Sequence, residues 1–288
     1  MVSRRSIPQP LAVSLPAMIY TQSENHTLTA KLRQISAILA LLLAVGAALP
    51  ACSSMYDATG KPVEEIYIRA KAEFTDGDFI EAQRLFDIIK LQYPASDYAD
   101  DAQYYLAEIN FKRKEFILAS YNYSYLRRLY PQSEYVKDAA LKIALCYVEL
   151  SPPFDRDQKY TREAIVALTE FVRDYPKDTL LKKAGAMMNE MKDKLAEREF
   201  RIAEQYRVLL SPKAALLYYD TVIDDYADTK FGELAFVGKL EVLADLRRYD
   251  EARSVCLLYN RFYQNGSQKA RVEQLCTLVN NPPAAIKK

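Results

Sequence analysis

The chain has 288 residues, half of them hydrophobic (50%), enough to bury a substantial core, and only 7 glycines, few for a β-rich or loop-rich protein. Its 39 basic and 38 acidic residues leave a formal net charge of +1, which gives no electrostatic case for nucleic acid as a partner.

The first 52 residues stand apart. Lys31 and Arg33 precede an uncharged run of seventeen residues from Ile35 to Ala51, and Cys52 follows. This is the order of a signal peptide: basic region, apolar region, small residue, cleavage site. Leu49-Pro50-Ala51-Cys52 resembles a bacterial lipobox, after which the cysteine is acylated and becomes the new N-terminus; Pro50 departs from the Ala, Ser, Thr or Val usual there. Two alternatives stay open: a plain cleaved signal, and an uncleaved anchor, for which the run falls short of the roughly 20 residues of a membrane span. Met1–Ala30 is long for a basic region, and Met18 is an alternative start. Ser53 and Ser54 follow the cysteine. Under the enterobacterial-type sorting rule, which retains an aspartate there, serine sends the protein outward. The expected location is the periplasmic face of the outer membrane, held by two or three acyl chains that together anchor stably.

Cleavage would remove Arg4, Arg5, Lys31, Arg33 and Glu24, leaving 35 of the 39 basic and 37 of the 38 acidic residues. It would also remove His26, the only histidine, and the chain has no tryptophan. Without histidine there is no Ser-His-Asp or Cys-His mechanism and no imidazole metal ligand. Nothing selects one pair among the 37 carboxylates as a glycosidase pair. The expectation is a protein that is not an enzyme, with no cofactor and no metal.

Beyond Cys52 an Ala-to-Tyr offset of eleven residues recurs five times: Ala82–Tyr93, Ala119–Tyr130, Ala164–Tyr175, Ala215–Tyr226 and Ala252–Tyr263. Successive pairs are 37, 45, 51 and 37 residues apart. Constant spacing inside a unit and variable spacing between units indicate a repeat with loop insertions. In the first unit, Val63, Ile66, Tyr67, Ala70 and Phe74 keep helical periodicity, Gly77-Asp78 breaks it, and Phe79, Ala82, Leu85, Phe86 and Ile89 form a second stripe ended at Tyr93-Pro94. The second unit reads as Tyr98–Lys112 with Glu115–Tyr130. The third is Glu134–Leu150 with Tyr160–Tyr175, separated by a Pro-containing insertion, Ser151–Gln158. The fourth pairs a long helix, Leu180–Leu210, with Pro212–Tyr226, and the fifth is Lys230–Leu246 with Tyr249–Tyr263. Ser267–Val279 would cap the array. No sustained period-two alternation suggests a strand.

The unit is of the tetratricopeptide type. Small residues match at Ala70, Ala107 and Ala144 on first helices and at the five marker alanines on second helices; an aromatic three residues before the marker stands at Phe79, Phe116 and Tyr249 but not at Thr161 or Pro212. The fold expected is all-α, a right-handed superhelical solenoid of five such helix pairs with a C-terminal capping helix. The domain plan is 1–52 extension and signal peptide, 53–62 lipid tether, 63–279 repeat domain and 280–288 tail.

More specific stretches carry a closer resemblance. Lys192–Glu197 running through Phe200 to Ala203-Glu204-Gln205-Tyr206, Asp155–Gln158 followed by Ala164 and Arg173–Pro176, and Gly77-Asp78-Phe79 with Tyr93-Pro94 are similar to the BamD family, outer-membrane lipoproteins of the β-barrel assembly machinery. The likeness covers about Val63–Tyr263. It implies that the first units receive unfolded outer-membrane barrel precursors and that the C-terminal units dock on the barrel insertase. Two other readings remain: a periplasmic tetratricopeptide coordinator of envelope or peptidoglycan machinery, against which the lipobox and the long helix speak, and a glycan-binding lipoprotein of a nutrient importer, which would favour tryptophan platforms.

In such arrays the first helices line the binding face, placing Tyr67, Lys71, Phe74, Asp101, Tyr104, Glu108, Phe111 and Lys112 in a candidate client groove suited to an extended strand. Each aromatic there could equally pack between repeats. Glu197, Arg198, Arg201, Arg247 and Arg248 are candidates for partner docking or, alternatively, a solvated charged face. Cys256 and Cys276 lie ten residues either side of Gly266; if Gly266 bends a helical hairpin they are level, as a disulfide or as two buried thiols. Cys146 reads as core.

Overall fold

The structure is a computed structural model and describes residues 56–282. The expected signal segment, Cys52 and residues 283–288 of the tail lie outside the described residues. The chain divides after Asp57, and everything below concerns the unit that begins at Ala58. Among the described residues there are eleven α-helices and no strand. They pair as α1 (Val63–Asp76) with α2 (Phe79–Gln92), α3 (Ala99–Lys112) with α4 (Phe116–Leu129), and α5 (Val136–Leu150) with α6 (Lys159–Asp174). The array continues with α7 (Leu181–Val208) and α8 (Pro212–Asp225), then α9 (Lys230–Asp245) and α10 (Tyr249–Phe262), and closes with α11 (Lys269–Asn280). Each helix packs on its neighbours in sequence, the pattern of a tetratricopeptide solenoid.

The constant offset has a local cause at both ends. The marker alanines, Ala82, Ala119, Ala164, Ala215 and Ala252, are all fully buried, as are Ala70, Ala107 and Ala144 on first helices, so paired helices approach closely. The tyrosine eleven residues later is the C-cap of each second helix, leaving helical geometry with φ between −121° and −135° while its N–H still reaches the carbonyl four residues back. In every unit the N–H three residues beyond then donates to that tyrosine's carbonyl, turning the chain into the next helix.

The turn inside each pair is also repeated. Gly77 stands at φ 84°, and the N–H groups of Gly77 and Asp78 close back onto Phe74 and Glu73. The Asp78 carboxylate accepts from the Glu81 N–H at 3.1 Å and caps α2. Lys114 (φ 62°), Leu210 (φ 54°) and Arg247 (φ 57°) take the same left-handed conformation, each five residues before its marker alanine, as Gly77 is. This stops α7 at Val208, short of the Leu210 expected from its composition. A side chain there costs about 1 kcal/mol relative to glycine. Leu210→Gly, at a position 88% exposed, is expected to raise stability by about that amount. Gly77→Ala should lower it comparably, both read as shifts in urea midpoint.

Unit three lacks this turn because the insertion replaces it. The buried Gln158 amide donates to the carbonyls of Pro153 (2.7 Å) and Arg156 (3.0 Å) and accepts from the Thr161 hydroxyl (2.7 Å). Thr161 stands where units one, two and five carry an aromatic, and its hydroxyl closes this loop. Lys194 of α7 reaches across to the Ser151 hydroxyl at 2.8 Å.

Two cores result. One joins units two and three through Ala107, Tyr123, Ala144, the buried Cys146 and Phe171; the other joins units four and five through Tyr219, Phe236 and Tyr259. α7 belongs to both, with Ala184 in the first and Ala196 and Ala203 in the second. Burial holds the Cys146 thiol up at about 12, so it packs as a small apolar group.

The last helix is tied down twice. Cys256 of α10 and Cys276 of α11 form a disulfide with Cα atoms 6.0 Å apart. The largely buried Glu233 of α9 accepts the N–H groups of Ser267 (3.1 Å) and Gln268 (2.8 Å) and the hydroxyls of Ser267 (2.8 Å) and Tyr259 (2.6 Å). These bonds hold Ser267 and Gln268 ahead of the first helical residue, so α11 begins at Lys269 rather than Ser267.

Candidate functional site

The first helices carry a ladder of tyrosines and carboxylates. The Tyr67 hydroxyl of α1 donates to Asp101 of α3 at 2.5 Å, and the Tyr104 hydroxyl of α3 donates to Asp138 of α5 at 2.5 Å. Tyr135, at the start of α5, donates back to Asp101 at 3.0 Å. The rings stack in step, Tyr67 on Tyr98 (4.6 Å between centroids) and Tyr104 on Tyr135 (4.2 Å). Burial first, and then the facing carboxylate, raises the pKa of Tyr67, Tyr104 and Tyr135, so all three remain neutral hydrogen-bond donors at any physiological pH.

Around the ladder lie aromatic faces and ammonium groups. Phe74 meets Tyr105 edge-on at 5.1 Å. The exposed Lys71 sits 5.4 Å from the Tyr67 ring and 5.5 Å from Tyr105, and the exposed Lys112 sits 5.6 Å from Phe74. Phe111 meets Phe116 at 5.4 Å and carries Lys142 of α5 at 4.8 Å. The residues named from sequence on α1 and α3 therefore stand together along one surface, but in unequal roles. Lys71 and Lys112 are open to solvent; Tyr67, Phe74, Asp101, Tyr104 and Phe111 are half-buried.

Glu108 is placed differently. It is buried, at 9% exposure, and its carboxylate accepts the hydroxyl of the fully buried Tyr123 and pairs with Lys142 at 2.6 Å. It joins α3 to α4 and α5. Unit four repeats the pairing at the same fifteen-residue offset: Tyr219 donates to Glu204, whose other oxygen binds Arg207, and Arg207 and Arg271 both bind Glu241 of α9 (2.7 and 2.8 Å).

The five residues named for docking are spread over two places. Arg201 pairs with Glu197 along α7 at 3.2 Å, with Arg198 half-exposed beside them. Arg247 and Arg248 lie at the α9–α10 turn, where Arg248 makes a two-pronged pair with Glu251 at 2.6 and 2.5 Å. Solvent screens such exposed pairs, so they add little to stability.

The ladder also has a signal in the sequence. Tyr-x-x-Asp-Ala occurs at Tyr98–Ala102 and again at Tyr135–Ala139, 37 residues on, matching the step between Tyr67 and Tyr104. Glu233 had no such signal. Among the described residues no three His, Cys, Asp or Glu side chains cluster so as to hold a metal ion.

A stack of helix pairs joined by buried small residues, with an aromatic and charged rail along its first helices, defines a tetratricopeptide-type repeat protein. The chain belongs to the YfiO family, described as outer membrane lipoprotein, whose family model matches residues 59–255. Two curated relatives are both named outer membrane protein assembly factor BamD. That of Neisseria meningitidis serogroup A is 27% identical over 234 residues, covering 72% of this chain and 88% of the relative. That of Pasteurella multocida is 23% identical over 209 residues, covering 71% of this chain and 63% of the relative, so the chain spans just under two thirds of that protein. A crystallised tetratricopeptide-repeat protein from Bacteroides fragilis aligns over 76% of this chain and 98% of its own at 12% identity and a TM-score of 0.43.

Proposed function

We propose that this protein is a lipid-anchored scaffold, not a catalyst, for the assembly of outer-membrane β-barrel proteins. The observation that carries the reading is the family match over residues 59–255, together with relatives named as assembly factors. The rail on α1 and α3 supports the finer part. An unfolded barrel strand offers backbone amides and alternating aromatic side chains. Lys71 and Lys112, with the exposed edges of Tyr67, Phe74 and Phe111, offer ammonium groups and ring faces without demanding a strict sequence. The tyrosine–carboxylate ladder fixes the spacing of these groups from one unit to the next. On this reading Glu197, Arg198, Arg201, Arg247 and Arg248 belong to the half that docks on the barrel insertase. Acylated Cys52 holds the protein at the periplasmic face of the outer membrane.

Affinity purification of the full chain from mildly solubilised membranes tests the reading. Recovery of the barrel insertase is the expected result; recovery of only peptidoglycan-associated or importer proteins would overturn it. A Cys52→Ala variant is expected to lose acylation and move from the membrane to the soluble fraction.

A further inference from the structure

The second helices α2, α4, α6, α8 and α10 each turn a face to solvent, and α4 differs from the other four in charge: it contains no carboxylate, whereas the others carry at least two each. It exposes a run of large apolar side chains, Ile117 (57%), Leu118 (55%), Tyr121 (60%) and Leu129 (50%), at spacings that keep them on one side of a helix. α10 exposes a similar run, Leu257, Leu258 and Phe262, but on a helix that also carries Asp250 and Glu251. The run ends in basic residues. The Arg128 guanidinium lies 5.4 Å from the Tyr125 ring centroid, and Lys90 of α2 reaches the same ring at 5.2 Å. Leu91, beside Lys90, is 75% exposed. Arg127 turns away to Asp174 of α6 at 3.7 Å, and Asp87 is the carboxylate beside Lys90. The chain joins the repeats at this same end, where α2 and α4 both finish, since the Tyr93 hydroxyl donates to the Lys61 carbonyl at 3.4 Å.

We infer that the outer face of α4, with Lys90 and Leu91 of α2, lies in the headgroup region of an anionic lipid surface, with Ile117, Leu118, Tyr121 and Leu129 toward the acyl chains. Leucine and isoleucine on one side, tyrosine at the boundary, and arginines on a helix that itself carries no carboxylate are the chemistry of an interfacial helix. A protein groove would more commonly set acidic partners among such basic groups. The inference rests on the lipid-anchored reading, which places a bilayer within reach: the eleven residue steps from Cys52 to Val63 span at most about 40 Å. Docking of this face would add to the acyl anchor and fix the orientation of the first two units over the membrane, leaving the rail of α1 and α3 free for clients.

The chain has no tryptophan, so one introduced indole reports its own surroundings. Full-length acylated protein carrying Tyr121→Trp is placed in vesicles of phosphatidylethanolamine and phosphatidylglycerol. The expected result is blue-shifted emission, quenched by lipids brominated on their acyl chains. Leu217→Trp on α8, 64% exposed, should show neither. Adding Lys90→Glu and Arg128→Glu to Tyr121→Trp should weaken quenching about fivefold or more, through the lost attraction to phosphatidylglycerol. Equal emission and quenching at the two positions would overturn the inference, as would shielding of the indole at 121 only when a second protein is added. The anchor is judged separately by fractionation of Cys52→Ala, so failure of the anchor and failure of the α4 face give different results.

Discussion

Replacing Gly266 by alanine is expected to cost about 3 kcal/mol and to release the last helix from the array. The new methyl group would collide with the Glu233 carboxylate and stand 2.6 Å from the Tyr259 hydroxyl. Neither neighbour can yield cheaply, because Glu233 holds Ser267 and Gln268 while Tyr259 is fully buried. The Glu233 carboxylate in turn makes stability depend on pH. Desolvation acts to raise its pKa, but the hydrogen bonds from Tyr259, Gln268 and Ser267 outweigh it, so the folded-state value lies below the ordinary 4.5. A depressed carboxylate stabilises fully above its unfolded pKa and loses that contribution as pH falls through the folded one. Stability of the wild type should therefore decline below about pH 4.5 more steeply than that of Glu233→Gln. Equal pH profiles for the two proteins, or an unchanged urea midpoint for Gly266→Ala, would refute this account of α11.

Removing the disulfide by Cys256→Ser with Cys276→Ser should cost about 3 kcal/mol. The two cysteines are 20 residues apart, and closing a loop of that length restricts the unfolded chain by about that amount. In a solenoid the loss stays local, because each unit touches only its neighbours. Amide hydrogen exchange should therefore accelerate in α11 and in the C-terminal half of α10, while α3 to α6 keep their protection. Unchanged exchange in α11 would mean that Val272, Leu275 and Val279, all buried, hold the helix without the bond.

The repeat was legible because its markers do fixed mechanical jobs. An alanine must stand where two helices approach, and a tyrosine caps the helix eleven residues later, so loop insertions move the pairs without altering them. Helix limits read from periodicity fall within two residues of those observed, and the departures have causes: Leu210 turns left-handed, and Ser267 and Gln268 are held by Glu233. The site was less legible. Periodicity gives the direction of a side chain but not the depth of its neighbours, so Glu108 looked like a groove residue although Tyr123 and Lys142 bury it. Contacts between units depend on how far one pair stacks from the next. The Tyr67–Asp101 and Tyr104–Asp138 bonds, each across 34 residues, become visible only once that stacking is known.

The two edges of the array are finished very unequally. At the C-terminal edge a covalent bond and a buried carboxylate seal α11. At the other edge, α1 starts after Pro62 with no side-chain cap. Opening of a linear array begins at whichever end is easier to detach. This one should therefore unravel with a direction, unit one first and unit five last, and refold by adding units back onto a closed C-terminal block. The protein would then be most yielding at α1, where the ladder of tyrosines and carboxylates begins.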